Sequence, residues 1–196
     1  MIYSGIGLAV VIVVGIAALL ATRGRPGLVE VEGSTTGQRQ SVDAAASGPR
    51  AATGPTPVPR GVVERYPEQG TAHIRLGDPP PAYNSNPPTS GWHTPQDAPW
   101  GSHRTVIPDE VLVHNLEHGG IWISYRDGDD GALVERLEAL ASRYRSKVIV
   151  TPRPANDVPI AVAAWTRLMK LDAYEEEKIV GFINAYKNRG PERVPD

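Results

Sequence analysis

Residues 1–21, MIYSGIGLAVVIVVGIAALLA, contain no charged side chain. At about 1.5 Å of rise per residue, a helix of that length crosses a hydrocarbon core of roughly 30 Å. The sequence therefore predicts a single transmembrane anchor over residues 1–22. A cleaved signal peptide is the competing reading. It is disfavoured by the lack of a basic leading region, by the length of the apolar run and by the absence of a small-x-small cleavage site. Residues 23–60 are rich in Gly, Pro, Ser, Thr and Ala, with no aromatic side chain and no apolar period. Such a segment buries too little surface to offset its ordering entropy and reads as a flexible tether, stiffened by proline in GPTPVPR. A packed core must therefore come from residues 61–196, which are expected to form one globular domain.

Composition removes several function classes. The net charge is -2, from 20 basic and 22 acidic residues, which supplies no basic field for nucleic acid. There is no cysteine, so disulfides, thiolate metal sites and thiol nucleophiles are excluded. Any metal must be held by His, Asp, Glu or backbone oxygen. Arg23 and Arg25 directly follow the apolar run, and by the positive-inside rule they would keep the domain in the cytoplasm.

Within the domain, residues 61–108 are rich in proline and aromatic residues and lack a regular period, as in YNSNPPTSGWHTP (83–95). They read as an ordered loop layer packed on a scaffold, because proline removes donors and restricts its neighbours. Residues 110–113 and 121–125 are β-branched or aromatic and predict strands, with HNLEHGG as the bend between them. Asp129-Asp130-Gly131 predicts the cap of a helix over residues 132–145, with an apolar stripe of Leu133, Leu137, Leu140, Ala141 and Tyr144. KVIVT (147–151) reads as a buried strand, and residues 160–168 as another. A last helix is expected from Asp172 to Lys187, stopped by Gly190-Pro191. The expected fold is α+β or α/β, a single sheet covered by two helices on one face, with the proline- and aromatic-rich loops as a further layer.

Four histidines carry the candidate chemistry. His114 and His118 are four residues apart, and a turn or bend can bring them onto one metal, whereas a straight strand would hold them about 13 Å apart. His73 in GTAHIRL and His93 in SGWHTP could complete a site of three or four imidazoles. Imidazole ligation suits copper or zinc, and oxygen ligation suits calcium or magnesium. Glu117 would then orient an imidazole N–H. The competing readings are that backbone carbonyls satisfy these rings, or that His-x-x-Glu-His is a zinc-peptidase motif with Glu117 as general base. That motif needs a sustained helix, which the strand-like surroundings do not suggest. His103 reads as a loop residue and Met169 as core filler.

The segments YNSNPPTSGWH, VHNLEHGG, IVTPRP, AAWTRLMKLD and FINAYKNRGPE, spread over about residues 61–192, resemble the bacterial family known as domain of unknown function 3105. The resemblance implies a single-pass anchored protein of the bacterial envelope, with its domain on the extracytoplasmic side despite Arg23 and Arg25. It places the family's histidines at His73, His93, His114 and His118. The chain departs from the pattern at Trp92, where a proline or small residue is expected, and in SHRTVI after Trp100. The leading expectation is a membrane-tethered domain that binds copper or zinc through these histidines, in metal handling or as an accessory of an envelope complex, without a small-molecule substrate. The alternatives are a metal-free structural or accessory subunit of a membrane protein complex, and a zinc-dependent hydrolase.

Overall fold

The computed structural model describes residues 58–79 and 82–195. The expected membrane span over residues 1–22, and the tether as far as residue 57, lie outside the described residues.

The described chain is α+β. It runs β1 (Val63–Arg65), β2 (Gly101–Ser102), α1 (Asp109–Glu117), β3 (Ile121–Tyr125), α2 (Gly131–Ala141), β4 (Val148–Pro152), β5 (Ile160–Ala164), β6 (Arg167–Leu171) and α3 (Glu176–Tyr186). The six strands form one mixed sheet in the order β1-β6-β5-β3-β4-β2. The pair β3 and β4 is parallel and is linked through α2, and β4 also runs parallel to β2. The pairs β3 with β5, β5 with β6 and β6 with β1 are antiparallel.

Side chains alternate across a strand, so each central strand feeds two cores. Ile121, Ile123, Val148, Val150, Ile160, Val162 and Met169 point to one face and pack with α2 and α3. Trp122, Ile149, Ala161, Ala163 and Leu168 point to the other and pack with Leu112, Val113 and Leu116 of α1 and with the loop layer. The expected sheet covered on one face is thus corrected. Two helices cover one face, while a third helix and the proline-rich loops cover the other.

That third helix replaces the strand expected over residues 110–113. Val111 and Val113 suggested a strand, but the helix signals around them win. Pro108 precedes the first turn, and Asp109 and Glu110 lie where the helix dipole favours negative charge. The other end is a Schellman motif. Gly119 N–H bonds the Leu116 carbonyl, Gly120 N–H bonds the Asn115 carbonyl, and Gly119 takes a left-handed φ of 79°. HNLEHGG is therefore the last turn and cap of a helix. The strand expected over residues 160–168 is instead the start of a hairpin, turning at Trp165-Thr166 with Thr166 at φ 60°.

The N-cap of α2 is Asp130, whose carboxylate accepts from Leu133 N–H at 3.0 Å. Asp130→Ala is expected to cost about 1 kcal/mol, read as a shift in the urea midpoint. The loop layer is fastened to α1 by Asn115. This buried carboxamide accepts from Ala98 N–H at 3.0 Å and donates to the Ala98 carbonyl at 2.8 Å, much as a strand partner would.

Candidate metal centre

Two loop segments and the last turn of α1 bring the four histidines together. Residues 70–74 and 91–93 lie side by side. Gly91 N–H bonds the Gly70 carbonyl, His93 N–H the Ala72 carbonyl, and Ile74 N–H the His93 carbonyl at 2.8 Å. This short parallel pairing sets His73 beside His93, with ring centroids 4.9 Å apart. Thr94 then crosses α1, its N–H bonding the Glu110 carbonyl. The His114 ring lies 5.0 Å from that of His93, 5.5 Å from that of His73 and 4.3 Å from that of His118. His114 and His118 meet because residues four apart lie on one helix face.

The hydrogen bonds determine which ring nitrogens carry protons. His93 Nδ1 is 2.8 Å from the Gly91 carbonyl, and His114 Nδ1 is 2.6 Å from the Thr94 carbonyl. A carbonyl only accepts, so both Nδ1 atoms donate, and in the neutral ring each Nε2 carries a lone pair. Burial acts first on His93 and lowers its pKa below the ordinary imidazole value. The Gly91 hydrogen bond and the Glu117 carboxylate pull the other way, and His114 and His73 add to the lowering. The neutral ring is thus the favoured form, with its Nε2 aimed into the cluster.

That nitrogen has no good partner. His93 is fully buried, and its Nε2 makes no aligned hydrogen bond. Yet it lies 2.8 Å from Glu117 Oε2, itself on a side chain only 8% exposed. A lone pair and a carboxylate oxygen in buried contact are two acceptors, an arrangement that a cation or a shared proton would relieve. The His114 Nε2 is 2.9 Å from His118 Nε2, so the hydrogen between them belongs to His118. His118 Nε2 is also 3.2 Å from Glu192 Oε2, and its Nδ1 is 3.5 Å from Asp97 Oδ2.

Two sets of donor atoms could each hold a metal ion: His73, His93 and His114 in one, and His114, His118 and Glu192 in the other. The donor atoms of each set lie within 4.8 Å of one another. His93 and His114 are buried, and His73 is exposed. His103 stays apart, its Nε2 bonded to the Pro99 carbonyl at 2.8 Å, and Met169 packs in the core on the opposite face of the sheet.

Glu117 lies on a helix after all, so the missing-helix argument against the peptidase motif does not hold. Its placement weakens that reading in another way. The carboxylate is buried against His93 and is not open to solvent, where a general base would meet water.

Sequence reasoning missed Glu192 and Asp97. The signal for Glu192 lay in Gly190, read there only as a helix stop. A Cβ at Gly190 would sit 2.0 Å from the Glu117 carbonyl oxygen and 2.3 Å from Gly119 N. Only glycine lets the C-terminal segment lie so close on the end of α1, where Asn188 N–H bonds the Gly119 carbonyl and Glu192 N–H the Glu117 carbonyl. Those contacts deliver the Glu192 side chain to His118.

The family model described as "Protein of unknown function (DUF3105)" matches residues 78–195. The match takes in His93, His114, Glu117, His118 and Glu192 and begins after His73. No curated protein and no solved structure matches the chain.

Proposed function

The chain belongs to the DUF3105 family, and we propose, from its apolar N-terminal sequence and from the geometry of the histidines, that it is a membrane-tethered protein that binds one copper or zinc ion through His73, His93 and His114, with His118 beside them. Residues 1–22 anchor it, and the domain stands on the extracytoplasmic side, in metal handling or as an accessory of an envelope complex.

The observation that carries the metal reading is the surplus of acceptors. The rings of His93 and His114 are fixed through Nδ1 by backbone carbonyls, and the His93 Nε2 faces the buried Glu117 carboxylate while the His114 Nε2 faces His118. Metal-bound imidazoles are commonly oriented in this way by a carbonyl on the far nitrogen. The imidazole donors favour copper or zinc over the oxygen-seeking calcium and magnesium. At Zn–N distances of about 2.0–2.1 Å, tetrahedral donor atoms lie roughly 3.4 Å apart. Donors already within 4.8 Å need only a small adjustment, which the exposed His73 can make.

The test uses the full chain purified in detergent and titrated by calorimetry with zinc(II) and with copper(II). The expected result is one ion per chain, lost in the His93→Ala/His114→Ala double variant while its circular dichroism is kept. Binding unchanged in that variant would remove the site.

Sidedness has its own test. The chain has no cysteine, so a single Ala173→Cys on the exposed turn before α3 can be labelled in intact cells with a membrane-impermeant maleimide. Labelling without permeabilisation is expected, and labelling only after permeabilisation would place the domain in the cytoplasm.

A further inference from the structure

Resting on that reading, we propose that His118 and Glu192 form an outer site for a divalent transition cation, which shares the His114 imidazole with the inner site so that the chain holds one ion at a time. Three donors converge there. His118 Nε2 is 2.9 Å from His114 Nε2 and 3.2 Å from Glu192 Oε2. Asp97 stands behind the His118 ring, 3.5 Å from Nδ1. It is placed to accept a hydrogen bond from Nδ1–H in the tautomer whose Nε2 lone pair faces a metal, the role a carboxylate plays behind a ligating imidazole.

The outer site opens on a pocket of about 340 Å³ at the C-terminal segment. Each set has one exposed member, His73 in the inner and Glu192, 55% exposed, in the outer, so each position can be reached from solvent on its own. The two sites differ in chemistry. The inner set offers three imidazoles, while the outer offers two imidazoles and a carboxylate, a harder mixture suited to zinc(II) or copper(II).

The exclusion follows from one ring. His114 has committed Nδ1 to the Thr94 carbonyl at 2.6 Å, so Nε2 is its single lone pair. A metal at the inner site takes that lone pair, and a metal at the outer site takes the same one. Occupying either site leaves the other a ligand short. Outer and inner positions are therefore alternatives for one cation, and His114 is the ligand common to both.

The experiment titrates the full chain in detergent with zinc(II) and, separately, with copper(II), and reads stoichiometry and affinity by calorimetry. Wild type is expected to bind one ion. His93→Ala and, separately, His73→Ala, which removes an exposed ring and no core packing, are each expected to keep one ion with affinity lowered at least tenfold. Adding Glu192→Gln to either is expected to lower it a further tenfold or more. Two ions bound together by wild type would overturn the proposal. So would loss of all binding in both single variants with the fold retained, or an unchanged affinity on adding Glu192→Gln. If wild type binds one ion and only these later outcomes fail, the outer site falls and the inner one stands. If wild type binds none, both fall.

Discussion

Replacing His114 with alanine is expected to weaken metal binding more than any other single change in the cluster. It is the one residue present in both groups of donor atoms. Loss of a residue that merely orients a ligand costs about 10- to 100-fold in affinity. Removing a ligand shared by both arrangements should therefore exceed about 100-fold. The measurement is competition for zinc(II) against a chromophoric chelator, with circular dichroism to check the fold. His103→Ala, whose ring bonds the Pro99 carbonyl away from the cluster, should leave the affinity unchanged. An affinity for His114→Ala within tenfold of wild type would mean that the ion is held elsewhere.

The second large effect is on stability. Arg153 follows β4, and its side chain is only 9% exposed. Its Nε and Nη2 donate to both oxygens of Asp109 at 2.8 and 2.6 Å, and its Nη1 to the side-chain oxygens of Asn86 and Asn156 at 2.6 and 3.0 Å. Asn156 in turn donates to Ser124 Oγ at 2.9 Å. One guanidinium thus joins the end of the sheet, the first turn of α1 and the loop layer. Breaking a buried pair by removing one partner leaves the other charge uncompensated and costs about 3–5 kcal/mol. Asp109 keeps partial contact with water, its side chain being 27% exposed. Arg153→Ala is therefore expected at the low end, about 3 kcal/mol by urea unfolding. The Arg153→Ala/Asp109→Ala double variant should cost clearly less than the sum of the single variants. A cost below about 1 kcal/mol for Arg153→Ala would show the network to be no more than a surface ion pair.

The sheet was legible where the local signals agreed. IWISY at residues 121–125 and the strand near residues 147–151 were read within a residue of their observed bounds, because continuous burial on both faces leaves an apolar run with no alternation. The helix after Asp130 was legible through its cap and its stripe. The helix carrying His114 was not, because β-branched Val111 and Val113 outweighed Pro108, Asp109, Glu110 and Gly119, which are its start and stop signals. That error hid the reason His114 and His118 meet.

The proximity of the histidines was foreseen from residue type and from the resemblance: the rings of His73, His93 and His114 lie within 5.5 Å of one another, and His118 meets the group through His114. What pairs with them was not foreseeable. Glu192 is 74 residues from His118 in sequence, and it arrives there through backbone contacts at Gly190 that leave no periodic mark. The parallel pairing of His73 with His93 likewise depends on backbone hydrogen bonds between loops, which side-chain patterning does not encode.

The central claim is that imidazole nitrogens of this cluster hold an ion, and X-ray absorption spectroscopy of the zinc-loaded full chain tests it most directly. The account predicts a shell of nitrogen donors at about 2.0–2.1 Å, carrying the outer scattering of histidine rings and losing it in the His93→Ala/His114→Ala variant. A chain that retains no zinc, or one whose zinc spectrum shows no histidine rings, would contradict it.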